Sequence, residues 1–282
     1  MVENRPWLNF FAHVVLILGV LLVAFPVYVT FVASTHTLER ILQVPMPLLP
    51  GDQLIENYSQ VLSGGSQKGS SAPVSTMLVN SFIMATGVAV GKIAISILSA
   101  FAIIYFRFPL RNFFFWMIFV TLMLPIEVRI IPTFKVASDL HLLDSYAGLI
   151  LPIVASATAT FLFRQFFLTI PDELAEAARI DGAGPLRFFW DVVLPLSKTS
   201  MAALFVILFI LGWNQYLWPL LITSSESMYT VVIGIKRMIS GGDSANEWNL
   251  IMATAMLAML PPALVVILMQ KWFVKGLVET EK

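Results

Sequence analysis

The chain has 282 residues, 58% of them hydrophobic and only 12% charged, and its mean hydropathy is +0.85, whereas a soluble domain carries about 25% charged residues. Lys and Arg together number 17, as do Asp and Glu, and no basic run stands out, which gives no reason to expect a nucleic-acid partner. Without cysteine there is no disulfide, thiolate nucleophile or thiolate metal site, and His13, His36 and His141 lie too far apart to have metal-ligand spacing.

Apolar runs recur along the whole length, and about 20 mainly apolar residues suffice to cross a hydrocarbon core of roughly 30 Å. Six stretches qualify, at 10–33, 77–105, 112–128, 146–163, 201–222 and 249–270. They predict an all-α, polytopic transmembrane helix bundle forming a single domain over 1–282. The first run is interrupted only by His13 and exceeds the roughly 7–15 residues of a cleaved signal's apolar region, so it reads as a retained span. An even number of spans puts both termini on one side. If that side is the cytoplasm, ten Lys and Arg residues flank the cytoplasmic ends, among them Arg107, Arg111, Arg164, Arg179 and Arg187. Six others, including Arg40, Lys68, Arg129 and Lys236, are spread over longer loops on the opposite side, a bias that favours cytoplasmic termini.

The first outer loop, 34–75, is polar and broken by Pro45, Pro47, Pro50 and the Gly-rich stretch 63–71, which together oppose a continuous helix. It reads as a surface loop able to meet a soluble partner. Asn57-Tyr58-Ser59 matches a glycosylation sequon, a pattern short enough to arise by chance and given no weight.

Lys92 falls mid-sequence in the second span, where a charge is costly and marks a functional candidate; snorkelling of its stem towards an interface is the competing account. Glu127 and Arg129 close the third span, and their i,i+2 spacing on a helix does not bring them face to face, so they read as solvated boundary charges.

The segment 169–200, between the fourth and fifth spans, carries Pro171-Asp172-Glu173-Leu174-Ala175-Glu176-Ala177-Ala178-Arg179-Ile180-Asp181-Gly182-Ala183-Gly184-Pro185. Pro171 suits a first helical turn, Asp172 and Glu173 suit a helix N-terminus, and the alanine-rich run has high helix propensity. Gly182 and Gly184-Pro185 end that helix, and another starts at Leu186. Leu174, Ala177 and Ala178 share a face of small residues at helical spacing. In the fifth span Asn214, Gln215 and Tyr216 interrupt an apolar helix ahead of Pro219, a residue that frees backbone groups and often accompanies a kink. These three, with Lys92, are the candidates for a solute pathway; interhelical hydrogen bonding is the alternative for each singly. Trp7, Trp116, Trp218, Trp248 and Trp272 fall near span ends, as interfacial anchors do.

The run Glu176-Ala177-Ala178, then Gly182, then Val192-Val193-Leu194-Pro195 resembles the cytoplasmic coupling loop of the membrane permease subunits of bacterial ABC importers of the carbohydrate-uptake type. That resemblance implies coupling roles for Glu176, Ala177, Ala178, Asp181, Gly182, Leu194 and Pro195. It implies a multi-pass inner-membrane subunit paired with a second permease, two copies of a nucleotide-binding ATPase subunit and a periplasmic solute-binding protein. ATP and Mg would then be held by the ATPase, with no cofactor in this chain. Within the family, Glu3-Asn4-Arg5-Pro6-Trp7, the stretches 99–130 and 143–167, and Trp213-Asn214-Gln215-Tyr216-Leu217-Trp218-Pro219 look like the branch that takes up sn-glycerol 3-phosphate. That cargo, with glycerophosphodiesters, is what the resemblance implies, and a maltose-type sugar importer is the close alternative.

Two other classes compete. A secondary transporter or channel would also be a bundle with a few intramembrane polar groups, but it gives no reason for the pattern from Glu176 to Pro195. An intramembrane enzyme should show a paired nucleophile and base or a metal cluster, and the spans carry neither. The sequence also lacks a Gly-x-x-x-x-Gly-Lys-Ser/Thr phosphate loop, so hydrolysis of ATP would fall to a separate chain.

Overall fold

The computed structural model describes residues 6–64, 72–121, 124, 126–239 and 246–278, and all regular structure among them is helical. The order is α1 (Pro6–Ser34), α2 (Leu38–Ile41), α3 (Leu54–Gly64), α4 (Val74–Tyr105), α5 (Arg111–Val120), α6 (Ile126–Asp139), α7 (Tyr146–Ile150), α8 (Ala157–Phe167), α9 (Asp172–Ile180), α10 (Pro185–Phe188), α11 (Leu194–Leu196), α12 (Lys198–Trp213), α13 (Leu217–Ile222), α14 (Val231–Ile239) and α15 (Trp248–Val278). Among the described residues, Trp7–Ser34, Val74–Tyr105 and Trp248–Trp272 are each long and apolar enough to cross a membrane alone. Two bent pairs raise the number to five if each is one span: Tyr146–Ile153 with Ala157–Phe167, bent by 52°, and Pro185–Leu196 with Lys198–Trp213, bent by 69°.

The third, fourth and fifth predicted spans are not continuous helices. The third, 112–128, divides: α5 has 10 residues, about 15 Å at 1.5 Å per residue, and α6 begins a few residues later. Pro125 lies between them and biases its predecessor away from the helical region. The fourth span winds into a 3-10 turn at Leu151–Ile153 before α8. Ser145 and Ser156 cap α7 and α8, their hydroxyls accepting from the Gly148 and Ala159 N–H groups. The fifth breaks at 214–216, between α12 and α13. The Gly-rich residues 65–71, the terminal residues Glu3 to Arg5 and the side chain of Glu127 lie outside what is described.

The chain divides into two compact units, Met1–Thr76 with Gly234–Leu260, and Met77–Ile233 with Pro261–Lys282. In the first, α1 exposes a continuous apolar surface, with Leu22 at 75% and Val23 at 71% exposure, which suits hydrocarbon and not water. The chain leaving α1 is fixed by a polar knot. Asn57 donates to the Ser34 and His36 carbonyls, both at 2.9 Å, and accepts from Asn249 at 3.0 Å. With both amide hydrogens donated and only 4% of its surface exposed, Asn57 cannot serve as a glycosylation acceptor. The described part of 34–75 is thus more ordered than its prolines suggest, since it contains α3 and this knot.

In the second unit, conserving backbone satisfaction inside an apolar medium falls to a few buried side chains. Asn80, in α4, donates to the Ser227 and Tyr229 carbonyls at 2.8 and 3.0 Å and accepts from the Tyr146 hydroxyl at 2.7 Å. The Ser81 hydroxyl accepts from Val231 N–H at 2.8 Å. Trp218, 2% exposed, packs with Met84, Val88, Ile130, Leu149 and Ile222, and its Nε1 donates to the Gly148 carbonyl at 3.1 Å. Gly148 is a close-approach position, because a Cβ there would overlap the Leu142 carbonyl oxygen. Asp144 ties the loop before α7 to the end of α13 by accepting from Ser224 N–H (2.7 Å), Ser225 N–H (2.8 Å) and the Ser224 hydroxyl (2.6 Å). Burial opposes ionisation of Asp144, but these donors outweigh it and hold its carboxyl below the usual carboxylate range.

Candidate functional site

The segment carrying the Glu-Ala-Ala pattern folds as its sequence suggests. Pro171 precedes α9, Asp172 and Glu173 occupy its first turn and Arg179 its last, an arrangement the helix dipole favours at both ends. Asp181 is the C-cap. The next two N–H groups close a Schellman turn: Gly182 donates to the Arg179 carbonyl at 3.0 Å and Ala183 to the Ala178 carbonyl at 2.8 Å. Gly182 has φ +74°, and a Cβ on it would meet nothing within 4 Å. Its backbone conformation, not lack of space, is therefore what calls for glycine.

The faces of α9 differ. Ala175, Ala178 and Arg179 line a small cavity with Phe101, Tyr105 and Phe188. Glu173, Glu176, Ala177 and Ile180 are exposed on the opposite side, Ile180 by 86%. The small-residue face expected from Leu174, Ala177 and Ala178 is split, because Ala178 is half-buried while Leu174 and Ala177 are exposed. Beyond α10 the chain winds as a π turn over Phe189–Val193 into α11. Pro195, exposed, has no N–H to return to the preceding turn, and Leu194 is half-buried in an apolar cavity with Ile97, Phe189 and Phe205. An aromatic cluster joins this segment to the end of α4: ring centroids lie 4.9 Å apart for Phe101 and Phe189, 5.1 Å for Tyr105 and Phe188, and 6.1 Å for Tyr105 and Phe167.

The pathway candidates are partly brought together. Lys92 and Gln215 line one cavity of about 90 Å³, but neither Asn214 nor Tyr216 does. Asn214 is the C-cap of α12, its N–H donating to the Ile210 carbonyl at 3.0 Å and its side chain exposed. Tyr216 is half-buried at the start of α13, its carbonyl accepting from Leu220 N–H at 3.0 Å. The same cavity admits a residue that the sequence pattern placed among the boundary charges. Arg129, although exposed, borders it from α6 together with Thr133. Their i,i+4 spacing was the available signal, visible only once 126–139 is recognised as a helix of its own.

Residues 92–279 match the family described as binding-protein-dependent transport system inner membrane component. The sequence is 62% identical over 282 residues to the sn-glycerol-3-phosphate transport system permease protein UgpE of Brucella melitensis, covering 100% of both chains. Identity is 61% to the UgpE protein of Rhizobium meliloti and 62% to that of Yersinia enterocolitica, again over the full length of both. Among solved structures, the fold matches a chain of a bacterial ABC transporter involved in the import of the acidic polysaccharide alginate, with a TM-score of 0.80, 24% identity, and coverage of 97% of this chain and 99% of the other. That likeness shows the fold.

Proposed function

Because this chain belongs to the binding-protein-dependent transport system inner membrane components, transporter permeases and not enzymes, we propose that it forms half of the translocation pathway of an ATP-driven importer of sn-glycerol 3-phosphate and glycerophosphodiesters. The cargo is carried by one observation, the 62% identity to a glycerol-3-phosphate permease across the full length of both chains. The complex comprises a second, different permease, two ATPase subunits that hold ATP and Mg, and a periplasmic solute-binding protein.

The topology proposed is six spans in a single transmembrane domain with both termini cytoplasmic. In it α1, α4 and α15 each cross alone. The α7–α8 and α12–α13 stretches cross as interrupted helices, and the segment around α5 completes the set. The segment 169–200 then lies on the cytoplasmic side and offers the ATPase the exposed face of α9, with Glu176 at its centre. Support for this comes from the fixed exit turn at Gly182 and from the packing of the opposite face. A push on α9 meets Phe188, Phe101 and Tyr105, and so reaches α4, the helix that carries Lys92. Closure of the ATPase subunits on ATP can switch the bundle between inward-open and outward-open forms only if they bind the two forms differently. Lys92 and Gln215 line the solute route in this account, and Asn214 and Tyr216 hold the break beside it.

Copurification from detergent followed by uptake assays in vesicles tests the proposal. The chain should bring down an ATPase, a second permease and a binding protein, and the complex should take up glycerol 3-phosphate. Uptake of a disaccharide with none of glycerol 3-phosphate would refute the cargo and leave the permease role standing.

A further inference from the structure

We propose that the cavity bordered by Lys92 and Arg129 is a binding site for the phosphate of the transported solute, and that this chain thereby discriminates phosphomonoesters from singly charged diesters. The inference deepens the cargo reading above and rests on it.

Two cationic side chains, 37 positions apart in sequence and on different helices, share one small cavity, and none of its described lining residues is acidic. Val88, Ile130, Ile153 and Trp218 supply apolar walls. Lys92, half-buried against these walls, carries a charge that is costly to leave unpaired, and a like charge on the more exposed Arg129 at the same cavity raises that cost. A mobile anion relieves both terms at once. A phosphomonoester carries about −1.5 to −2 charges near neutral pH and offers three acceptor oxygens, enough for both cations. A phosphodiester carries about one charge and leaves part of the repulsion uncompensated. Gln215, an amide with donor and acceptor functions, lines the same cavity and can meet a hydroxyl of the solute.

The backbone points to the same place. Helices in hydrocarbon are interrupted only where the freed groups are buried in protein or line a cavity. Two interruptions border this cavity: the α7–α8 break contributes Pro152, Ile153 and Ala155, and the α12–α13 break contributes Gln215. Two separate breaks at one pair of cations make a site with access and polar capacity, which a snorkelling lysine would not require.

The test uses the complete complex in vesicles of zwitterionic lipid with saturating binding protein, comparing turnover of glycerol 3-phosphate with that of glycerophosphoglycerol, a diester with a single negative charge. Lys92→Gln and Arg129→Gln should each lower monoester transport by about tenfold, the scale of one lost charge-assisted hydrogen bond. Diester transport should fall by a clearly smaller factor, and Lys92→Arg and Arg129→Lys should restore most of the monoester rate. Copurification of all subunits with each variant checks assembly. Equal loss of both substrates, or equal loss in the neutral and the charge-retaining variants, would make these residues packing elements and overturn the site. Unchanged turnover in both neutral variants would do the same. If the selectivity shift appears only in vesicles containing an anionic lipid, the phosphate bound belongs to a headgroup and the assignment to cargo fails. A wild-type complex that moves no phosphomonoester removes the cargo reading and this site together, whereas a wild type that does so beside unaffected variants removes the site alone.

Discussion

Substitution at Gly182 should uncouple transport while substitution at Gly184, two residues away, should not. Both glycines have open space where a Cβ would be, so steric crowding predicts the same tolerance at each. Their backbones differ: Gly182 has φ +74° and Gly184 has φ −71°. An L-residue held in the left-handed region costs about 1–2 kcal/mol, and more for a β-branched side chain. At 298 K that range corresponds to about a 5- to 30-fold fall in the ratio of chains holding the Schellman turn to chains that do not. Gly182→Val, at or beyond the upper end of that range, should therefore lower uptake at unchanged membrane abundance, and Gly182→Asn should lower it less, because asparagine visits this region more readily. Gly184→Ala, at an ordinary φ, should behave as wild type. Uptake and substrate-stimulated ATP hydrolysis in reconstituted vesicles are the assay, with copurification of the ATPase as the check on docking. Equal loss at Gly182 and Gly184, or wild-type uptake with Gly182→Val, would show that the turn's handedness does not govern coupling.

Glu176→Lys reverses a charge on the exposed face of α9 and should abolish uptake without removing the chain from the membrane; normal uptake at normal expression would refute the docking of this face on the ATPase. Trp218→Ala empties a fully packed position and should destabilise the second unit by about 3–5 kcal/mol, whereas Trp218→Phe, which removes the donor to Gly148 and part of the ring volume but keeps an aromatic side chain in place, should cost less, about 1–3 kcal/mol; thermal unfolding in detergent should rank them in that order. The carboxyl of Asp144 titrates below its unfolded value, so its contribution is present above about pH 4, the ordinary carboxylate pKa, and is lost as pH falls through the lower folded value. Wild type should therefore unfold at a higher temperature than Asp144→Asn near neutrality, by a small margin for so exposed a group, and the gap should close in acid; a gap constant from about pH 7 to pH 3 would contradict this.

The spans were legible because hydrocarbon leaves the backbone few choices: long apolar runs had to be helices, and α1, α4 and α15 follow their predicted stretches to within a few residues at all but one end, the C-terminal end of α15. Segment 169–200 was legible for a different reason, since Pro171, the alanine run, Gly182 and Pro185 are local signals and fix local geometry. Composition spoke less clearly where tertiary bonds override it. Loop 34–75 looked irregular from its prolines, but Asn57 binds the carbonyls of Ser34 and His36 and so anchors α3. The break within the fourth span was hidden by unbroken apolarity, because a hydropathy pattern does not register a 3-10 turn at Leu151–Ile153, whereas the polar residues ahead of Pro219 marked the unwound step at 214–216.

The cavity shows where reading in sequence order reaches its limit. Lys92 could be singled out alone, because one charge in an apolar run is conspicuous whatever surrounds it. Arg129 could not: it stood beside a run of apolar residues that looked like the end of a span, and its nearest charged neighbour by position was Glu127. Its place at the cavity depends on α6 being a separate helix whose 129 and 133 positions border a cavity also lined from α4. Gln215 lay within a cluster of three polar residues, and sequence offered no ground for preferring it to Asn214, which caps α12 and points outward. Selection among equivalent-looking polar residues is made by the helix breaks, since an unwound residue can face a cavity that the helical register would deny it. The pairing of Lys92 with Arg129 is thus a property of the folded bundle, and a variant that straightened the α12–α13 break should displace Gln215 from the cavity while leaving both cations in place.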